Sequence, residues 1–290
     1  MAPRNKSAAS RRAAPKGKSG KSAPGAQKSR SGRNFAGPSV FDLFNRRVGI
    51  LFWLGCIAIW LAFIFFPISN SVTRSGSVVL AGLVFAGALG FWWRLAILRW
   101  GLLALFAAAA IFYSLPGREL YDRHSLRAET SRALRRYEGV RYFWGGENRF
   151  GIDCSGLVRR GAIEGAFYEG LRTRNPLLVR KAVQLWWRDM SARDMGFGAR
   201  REARRLIQVK AIKGFDDSNL RPGDFAITEG GVHAMAYLGD HLWIEADPGE
   251  GKVIVVDGRT TDNPWFNTPV SIMRWRFLHA HRPSRATLFR

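Results

Sequence analysis

Cysteine and histidine are scarce in this chain of 290 residues, which contains two cysteines and five histidines. No cluster of these residues has the spacing of zinc ligands, so the sequence predicts neither a metal site nor a cofactor. Cys56 lies in an apolar run and Cys154 in a polar region. The pair therefore gives no disulfide under the topology derived below, and two cysteines do not decide the redox compartment.

Acidic residues are almost absent from residues 1–47, which hold twelve Lys or Arg and one acid, Asp42. Apolar residues are also too few there to offset chain entropy, which predicts a disordered basic tail. The first aromatic residue is Phe35. Without interleaved aromatic residues, specific nucleic-acid binding by base stacking is not expected. Acidic lipid is the better-supported partner, because apolar segments follow directly.

Residues 48–117 contain no acid and only three basic residues, Arg74, Arg94 and Arg99. Their first 21 residues, 48–68, carry no charge, and about 20 apolar residues span a bilayer. A helix buried in a globular core is the alternative, but an uncharged run of this length is typical of membranes. Two shorter apolar runs, 77–93 and 100–115, predict a helical hairpin turning near residues 94–99. The region is thus predicted to span the membrane three times.

The basic residues predict the orientation of these spans. By the positive-inside rule, the basic tail stays in the cytoplasm, together with Arg94 and Arg99. The domain from residue 118 onward then lies outside the cytoplasmic membrane, in the periplasm or the extracellular space. A two-span alternative would leave that domain in the cytoplasm. The predicted organisation is a tail (1–47), a transmembrane region (48–117) and a soluble domain (118–290).

The soluble domain has 30 basic and 21 acidic residues, a net charge of +9. Helices are predicted first, at residues 122–137 and 154–168, after which short strands alternate with turns. Helices followed by strands predict an α+β domain with a small antiparallel sheet. The predicted extended segments are 140–146, 225–228, 233–238, 241–245, 253–257 and 271–277.

A basic segment, residues 171–214, lies between the two halves of this domain, and its apolar spacing predicts one or two helices. Trp186 and Trp187, with Arg180, Lys181 and Arg188 nearby, could form a wall of the cleft or lie on the membrane surface. An ordinary packed helical insert is equally compatible with the sequence.

Asp153-Cys154-Ser155 is the strongest chemical signal in the chain. An approach segment rich in aromatic residues and glycine, residues 142–146, precedes Cys154. Cys154 begins an apolar run that is compatible with a helix. Asp153 and Ser155 suit a helix start. Unpaired N–H groups at a helix N-terminus favour the thiolate, so Cys154 is a candidate nucleophile.

A nucleophilic cysteine needs a base, and that base an orienting group. Among the five histidines, His233 is the strongest candidate because it follows a Gly-Gly turn at the start of a strand. A two-residue turn at 239–240 predicts Glu245 roughly opposite His233 on the next strand. A carboxylate there would hold the imidazole in one tautomer. Asp247 is the alternative orienting group.

Two blocks, residues 137–168 and 220–247, resemble the NlpC-type papain-like cysteine peptidases of bacterial cell walls. The matching residues are Tyr142-x-Trp144-Gly145-Gly146, Gly151-Ile152-Asp153-Cys154-Ser155-Gly156-Leu157, Leu220-Arg221-Pro222-Gly223-Asp224 and His233-Ala-Met-Ala-Tyr237-Leu238-Gly239. The resemblance implies a papain-like α+β fold, Cys154 as nucleophile and His233 as base. It also implies that Tyr142, with Asp153 and Ser155, lies at the substrate or oxyanion. Glu245 stands where the family usually has histidine.

The implied reaction is hydrolysis of an amide bond in peptidoglycan stem peptides, through a thioester on Cys154. Such peptides are acidic, and a domain of charge +9 would attract them. Two other functions stay open: an acyltransferase or lipid-directed thiol enzyme on the same fold, and a membrane scaffold without catalysis. The expected partners are peptidoglycan peptides and the membrane; no oligomer is predicted.

Overall fold

The computed structural model describes residues 40–198 and 201–278. Most of the predicted basic tail, together with His279 and His281, lies outside these residues. Residues 40–47, which the sequence assigned to the tail, belong to the first helix instead.

Three apolar helices come first: α1 (Val40–Phe65), α2 (Ser71–Phe91) and α3 (Ala96–Ser114). All three are long and apolar enough to cross a membrane, and they bury little of their surface inside the protein. The hairpin turn between α2 and α3 falls at residues 92–95, slightly before the predicted position. Arg99, in the first turn of α3, donates to the Trp93 carbonyl and lies over the Trp93 ring.

The connection between α1 and α2 has a clear local cause. Pro67 cannot continue a helix, so α1 ends two residues before it. Asn70 then caps α2 in a reciprocal arrangement with Thr73: its Oδ1 accepts from the Thr73 N–H, and the Thr73 hydroxyl accepts from the Asn70 N–H. The connection is therefore short and rigid.

The second part of the chain is an α+β domain, as the sequence predicted. Its helices are α4 (Arg123–Arg135), α5 (Cys154–Arg172), α6 (Pro176–Trp187) and α7 (Ala192–Gly196). Strands β1 (Glu147–Asn148) and β2 (Gly151–Ile152) form a small ribbon. The main sheet contains β3 (Ala203–Val209), β4 (Phe225–Thr228), β5 (Ala234–Gly239), β6 (Leu242–Asp247), β7 (Lys252–Asp257) and β8 (Val270–Trp275).

All pairs in the main sheet are antiparallel, in the order β3-β8-β4-β5-β6-β7. One face packs on α4, α5 and α6 through a core that includes Leu134, Leu157 and Phe225. Helix α5 carries Gly165 where a Cβ would lie 2.7 Å from the Thr130 Cα. This glycine costs helix propensity but lets α4 and α5 approach closely.

Strand β3 was missed by the sequence reasoning, which predicted only helices in residues 171–214. Two helices, α6 and α7, do lie there, but β3 pairs along its length with β8 at the edge of the sheet. Arg204 and Arg205 are exposed on it. Charged edge strands protect a sheet from pairing with other chains. Because of this charge, the strand lacks the alternating apolar pattern from which strands are predicted.

The segment 171–214 contributes to packing and to the cleft. Helix α6 buries Leu178 and Leu185 in the main core, and Arg180 donates to the Tyr113 and Leu115 carbonyls at the end of α3. Trp186 packs partly against the core, whereas Trp187 is exposed. Residues 189–192 line the cavity described below.

The segment predicted to be extended before Cys154, residues 140–146, is not a strand of either sheet. Residues 141 and 142 form only isolated bridges, Arg141 with Lys252 and Tyr142 with Ile152. These bridges nevertheless bring the approach to Cys154 beside the start of β7.

Candidate active site

Cys154 is the first residue of α5, and Asp153 is its N-cap. One Asp153 oxygen, Oδ1, accepts from the Gly156 N–H at 2.6 Å and from the Ser155 hydroxyl at 2.9 Å. The other oxygen accepts from the Gly145 N–H at 2.9 Å. Asp153 and Ser155 thus hold the helix start and the glycine-rich approach in place around the cysteine.

Cys154 is 8% exposed, and its thiol is not in a disulfide. Burial, together with the neighbouring Asp153 carboxylate, raises the pKa of Cys154 to about 12, although N–H groups of Ala234, Ser155 and Cys154 itself act in the opposite direction. The sequence predicted that the helix N-terminus would favour the thiolate. Loss of hydration outweighs that effect here, because a buried charge is costly.

His233 lies immediately before β5 and is 1% exposed. Its Nε2 is 2.6 Å from Glu245 Oε2, and Glu245 is fully buried on β6. Burial raises the pKa of Glu245, Asp247 adds to the rise, and the contact with His233 opposes it. The structure therefore brings together the two residues that the sequence paired.

The register of the two strands differs from the predicted one. Ala236 lies opposite Ile244, and a bulge between Tyr237 and Gly239 shifts the pairing near the turn. Continuing the Ala236–Ile244 register toward the start of β5 places Asp247, not Glu245, directly across from His233. Glu245 reaches the imidazole from the diagonal position, which is within range of a long side chain.

Two residues at this site were missed by the sequence reasoning. Asn263 Nδ2 donates to Glu245 Oε1 at 2.8 Å and to Asp247 Oδ2 at 2.6 Å, so one amide bridges two buried carboxylates. Trp265 stacks on His233 with ring centroids 4.4 Å apart and an interplanar angle of 18°. The Asn263-Pro264 pair indicates a turn, but no sequence signal places that turn beside Glu245.

Tyr142 is half-buried at the same site. Burial, together with the nearby Cys154, Asp153 and Asp247, raises the pKa of Tyr142 to about 12. Its hydroxyl therefore stays protonated at neutral pH and can donate a hydrogen bond.

A cavity of about 310 Å³ opens at Cys154. Tyr142, Trp144, Asp153 and Ser155 line it, together with Gly231 and Val232, the two residues before His233. The α1–α2 connection contributes Ile68, Ser69 and Asn70. Within residues 40–198 and 201–278, no three His, Cys, Asp or Glu side chains are grouped as metal ligands.

The other histidines lie elsewhere. His241 Nδ1 contacts Asp217 at 2.8 Å in the turn between β5 and β6. His124 is exposed at the start of α4. Among the described histidines, His233 alone belongs to the cluster around Glu245 and Asn263.

Comparison with known proteins gives matches among solved structures only. No family model and no curated protein matches the chain. NlpC2 from Trichomonas vaginalis is 17% identical, with a TM-score of 0.35, over 54% of this chain and 49% of that one. An NlpC/P60 family protein from Bacillus cereus is 18% identical, with a TM-score of 0.33, over 55% of this chain and 44% of that one.

The peptidoglycan hydrolase RipB from Mycobacterium tuberculosis is 19% identical, with a TM-score of 0.32, over 51% of this chain and 65% of that one. This chain spans about half the length of the first structures it matches. The solved structures that it resembles are NlpC/P60 family proteins.

Proposed function

We propose that this chain is a membrane-anchored cysteine peptidase that hydrolyses amide bonds of peptidoglycan stem peptides, with Cys154, His233 and Glu245 as its catalytic residues. One observation carries the proposal. The Cys154 thiol faces the Ala234 N–H, directly after His233, whose Nε2 is held by Glu245 at 2.6 Å. Since Nε2 is engaged by Glu245, Nδ1 is the nitrogen that takes the thiol proton.

The proposed reaction begins from the neutral thiol, because the pKa of Cys154 is about 12. The S–H proton passes to His233 as the sulfur attacks the amide carbonyl carbon. The imidazolium, stabilised by Glu245, then returns the proton to the leaving amine as the C–N bond breaks. Water, activated by His233, hydrolyses the resulting thioester and regenerates the thiol.

The negative charge that develops on the carbonyl oxygen needs hydrogen-bond donors. The backbone N–H groups of Cys154 and Ser155 lie at the thiol, and the protonated Tyr142 hydroxyl lies nearby. Donors fixed in a poorly hydrated site stabilise an oxyanion strongly. We assign this role to them.

The proposed substrate class follows from the family that the two sequence blocks resemble. Stem peptides are acidic, and the net charge of +9 on residues 118–290 favours their approach.

The proposed location of the catalytic domain is the outer side of the cytoplasmic membrane. The α1–α2 connection is hydrogen-bonded to the catalytic domain, Ser69 to Gly145 and Glu147 to Pro67. Both therefore lie on one side of the membrane, and crossings by both α2 and α3 satisfy this condition. With the basic tail inside, this three-span arrangement puts the domain outside.

The test uses the two cysteines of the full-length protein in detergent micelles. Replacing Cys154 with Ser should lower peptide release from purified peptidoglycan by about 10³-fold or more, the scale expected for loss of a nucleophile. Cys56→Ser, in α1, is the matched control and should retain activity. Equal peptide release by the wild type and Cys154→Ser would overturn the assignment.

A second candidate, acyl transfer from a lipid, is favoured by one observation: the cavity is lined by residues 68–70, between two apolar helices. Trapping the thioester on Cys154 with a labelled peptide or a labelled lipid separates the two functions. A peptide adduct supports the peptidase, and a lipid adduct supports the acyltransferase.

A further inference from the structure

The α1–α2 connection is built into the catalytic domain at the level of the backbone. Ser69 N–H donates to the Gly145 carbonyl at 3.2 Å, and the Glu147 N–H donates to the Pro67 carbonyl at 3.0 Å. Ile68 also forms a bridge with Gly146. Gly145 and Gly146 belong to the approach to Cys154, so the connection is fixed beside the nucleophile.

A buried charge cluster reinforces this junction. Arg74 of α2 contacts Glu147 Oε2 at 2.8 Å, and Arg159 of α5 contacts Glu147 Oε1 at 3.0 Å. The side chains of all three residues are 2–3% exposed. Breaking such a cluster would leave an uncompensated buried charge, so the connection has one preferred position relative to the domain.

Asn70 is the exposed polar residue that the connection presents to the cavity. Its Oδ1 is occupied by the Val72 and Thr73 N–H groups, both at 3.0 Å. The N-terminus of α2 is therefore already capped. Within the described part of the chain, Asn70 Nδ2 makes no hydrogen bond, which leaves a donor facing solvent beside the cavity that holds Cys154.

We propose that Asn70 is a specificity-determining residue: its Nδ2 donates a hydrogen bond to a carboxylate or carbonyl oxygen of the acidic peptide in the cleft. This proposal deepens the proposed function and rests on it for the identity of the substrate. It makes the membrane region part of the substrate-binding site, in addition to an anchor.

Two variants of the full-length protein in detergent test the donor. Asn70→Asp and Asn70→Ser both retain a helix cap but lose Nδ2. For an acidic stem peptide, KM should rise about 5–10-fold with kcat nearly unchanged, the scale of one lost hydrogen bond. Val72→Asp adds a charge two residues away, at an exposed position that does not line the cavity, and should leave KM unchanged.

A second measurement is independent of the peptide. Cys154 is alkylated with anionic iodoacetate and with neutral iodoacetamide, and the modification is quantified on the Cys154 peptide by mass spectrometry. In Asn70→Asp, the ratio of the iodoacetate rate to the iodoacetamide rate should fall about 2–5-fold at low salt and recover at high salt, as expected for a screened charge. The ratio should fall clearly less in Val72→Asp, because residue 72 does not line the cavity.

Equal ratios in Asn70→Asp and Val72→Asp would overturn the placement of Asn70 at the cleft, even if the protein hydrolyses peptides. A Cys154 that neither reagent reaches in the wild type would overturn it as well, because the cavity would not open to the thiol. Failure of the proposed function has a different signature: no peptide hydrolysis by the wild type, with the alkylation ratios still distinct.

Discussion

At the scale of single residues, Cys154 is subject to two opposing influences. The N-terminus of α5 supplies N–H groups that stabilise a thiolate, whereas burial and Asp153 destabilise it. Burial prevails because a charge deprived of water loses more than a few N–H dipoles return. In the proposed mechanism, His233 therefore takes the proton during attack, and no thiolate is formed beforehand.

This balance predicts the pH dependence of alkylation at Cys154. A pKa raised to about 12 means that the reactive thiolate is the minor form at every pH below that value. The rate with iodoacetamide should therefore rise about tenfold per pH unit between pH 7 and pH 10, without a plateau. Peptide-level mass spectrometry follows the reaction. A plateau beginning near neutral pH would instead indicate a thiolate paired with a protonated His233.

The positions of Asn263 and Trp265 at the site could not be predicted from the sequence. Cys154, His233 and Glu245 could be selected from the sequence because each occupies a recognisable local context. Asn263 contacts Glu245 only because the segment after β7 folds back over the end of β6. Such a contact depends on tertiary packing, for which neither residue carries a local signal.

At the scale of elements, the junction between α2 and the α+β domain depends on Glu147 of β1. Arg74 and Arg159 each contact one of its oxygens, and Asp189 contacts both arginines at 3.4 Å. Asp189 is half-exposed. The buried carboxylate of Glu147 and the half-exposed carboxylate of Asp189 should therefore differ greatly in their contribution to the free energy of unfolding.

We expect Arg74→Met to lower the free energy of unfolding by about 3–5 kcal/mol, because it removes one partner of a buried ion pair. Asp189→Asn, at the edge of the same cluster, should cost less than about 1 kcal/mol, since exposed ion pairs contribute little. Chemical denaturation in detergent micelles measures both. Similar losses in the two variants would show that Arg74 does not hold the junction.

At the scale of the whole molecule, contact between residues 66–70 and the α+β domain restricts the topology. Two helices, α2 and α3, separate these segments in the chain. A single crossing by residues 71–114 would put them on opposite sides of the membrane and break the hydrogen bonds between them. Crossings by both α2 and α3, as in the proposed three-span arrangement, keep the two segments on one side of the membrane.

Single-cysteine reporters in the double variant Cys56→Ser, Cys154→Ser test this topology. Leu120→Cys lies after α3 and is 96% exposed, and Leu95→Cys lies between α2 and α3 and is 56% exposed. A membrane-impermeant maleimide should label Leu120→Cys on intact cells and Leu95→Cys only after permeabilisation. Labelling of Leu95→Cys from outside, or protection of Leu120→Cys, would contradict the proposed orientation.

The sequence by itself determined the three apolar segments and the α+β order of the second part, and it gave Cys154, His233 and Glu245 as candidate site residues. These features depend on local composition, periodicity and short motifs. Tertiary structure alone decided the pKa of Cys154, the diagonal approach of Glu245 to His233, the bridge made by Asn263 and the place of Asn70 beside the cleft. Burial and contacts between distant segments produce these properties, and neither is a function of neighbouring residues in the chain.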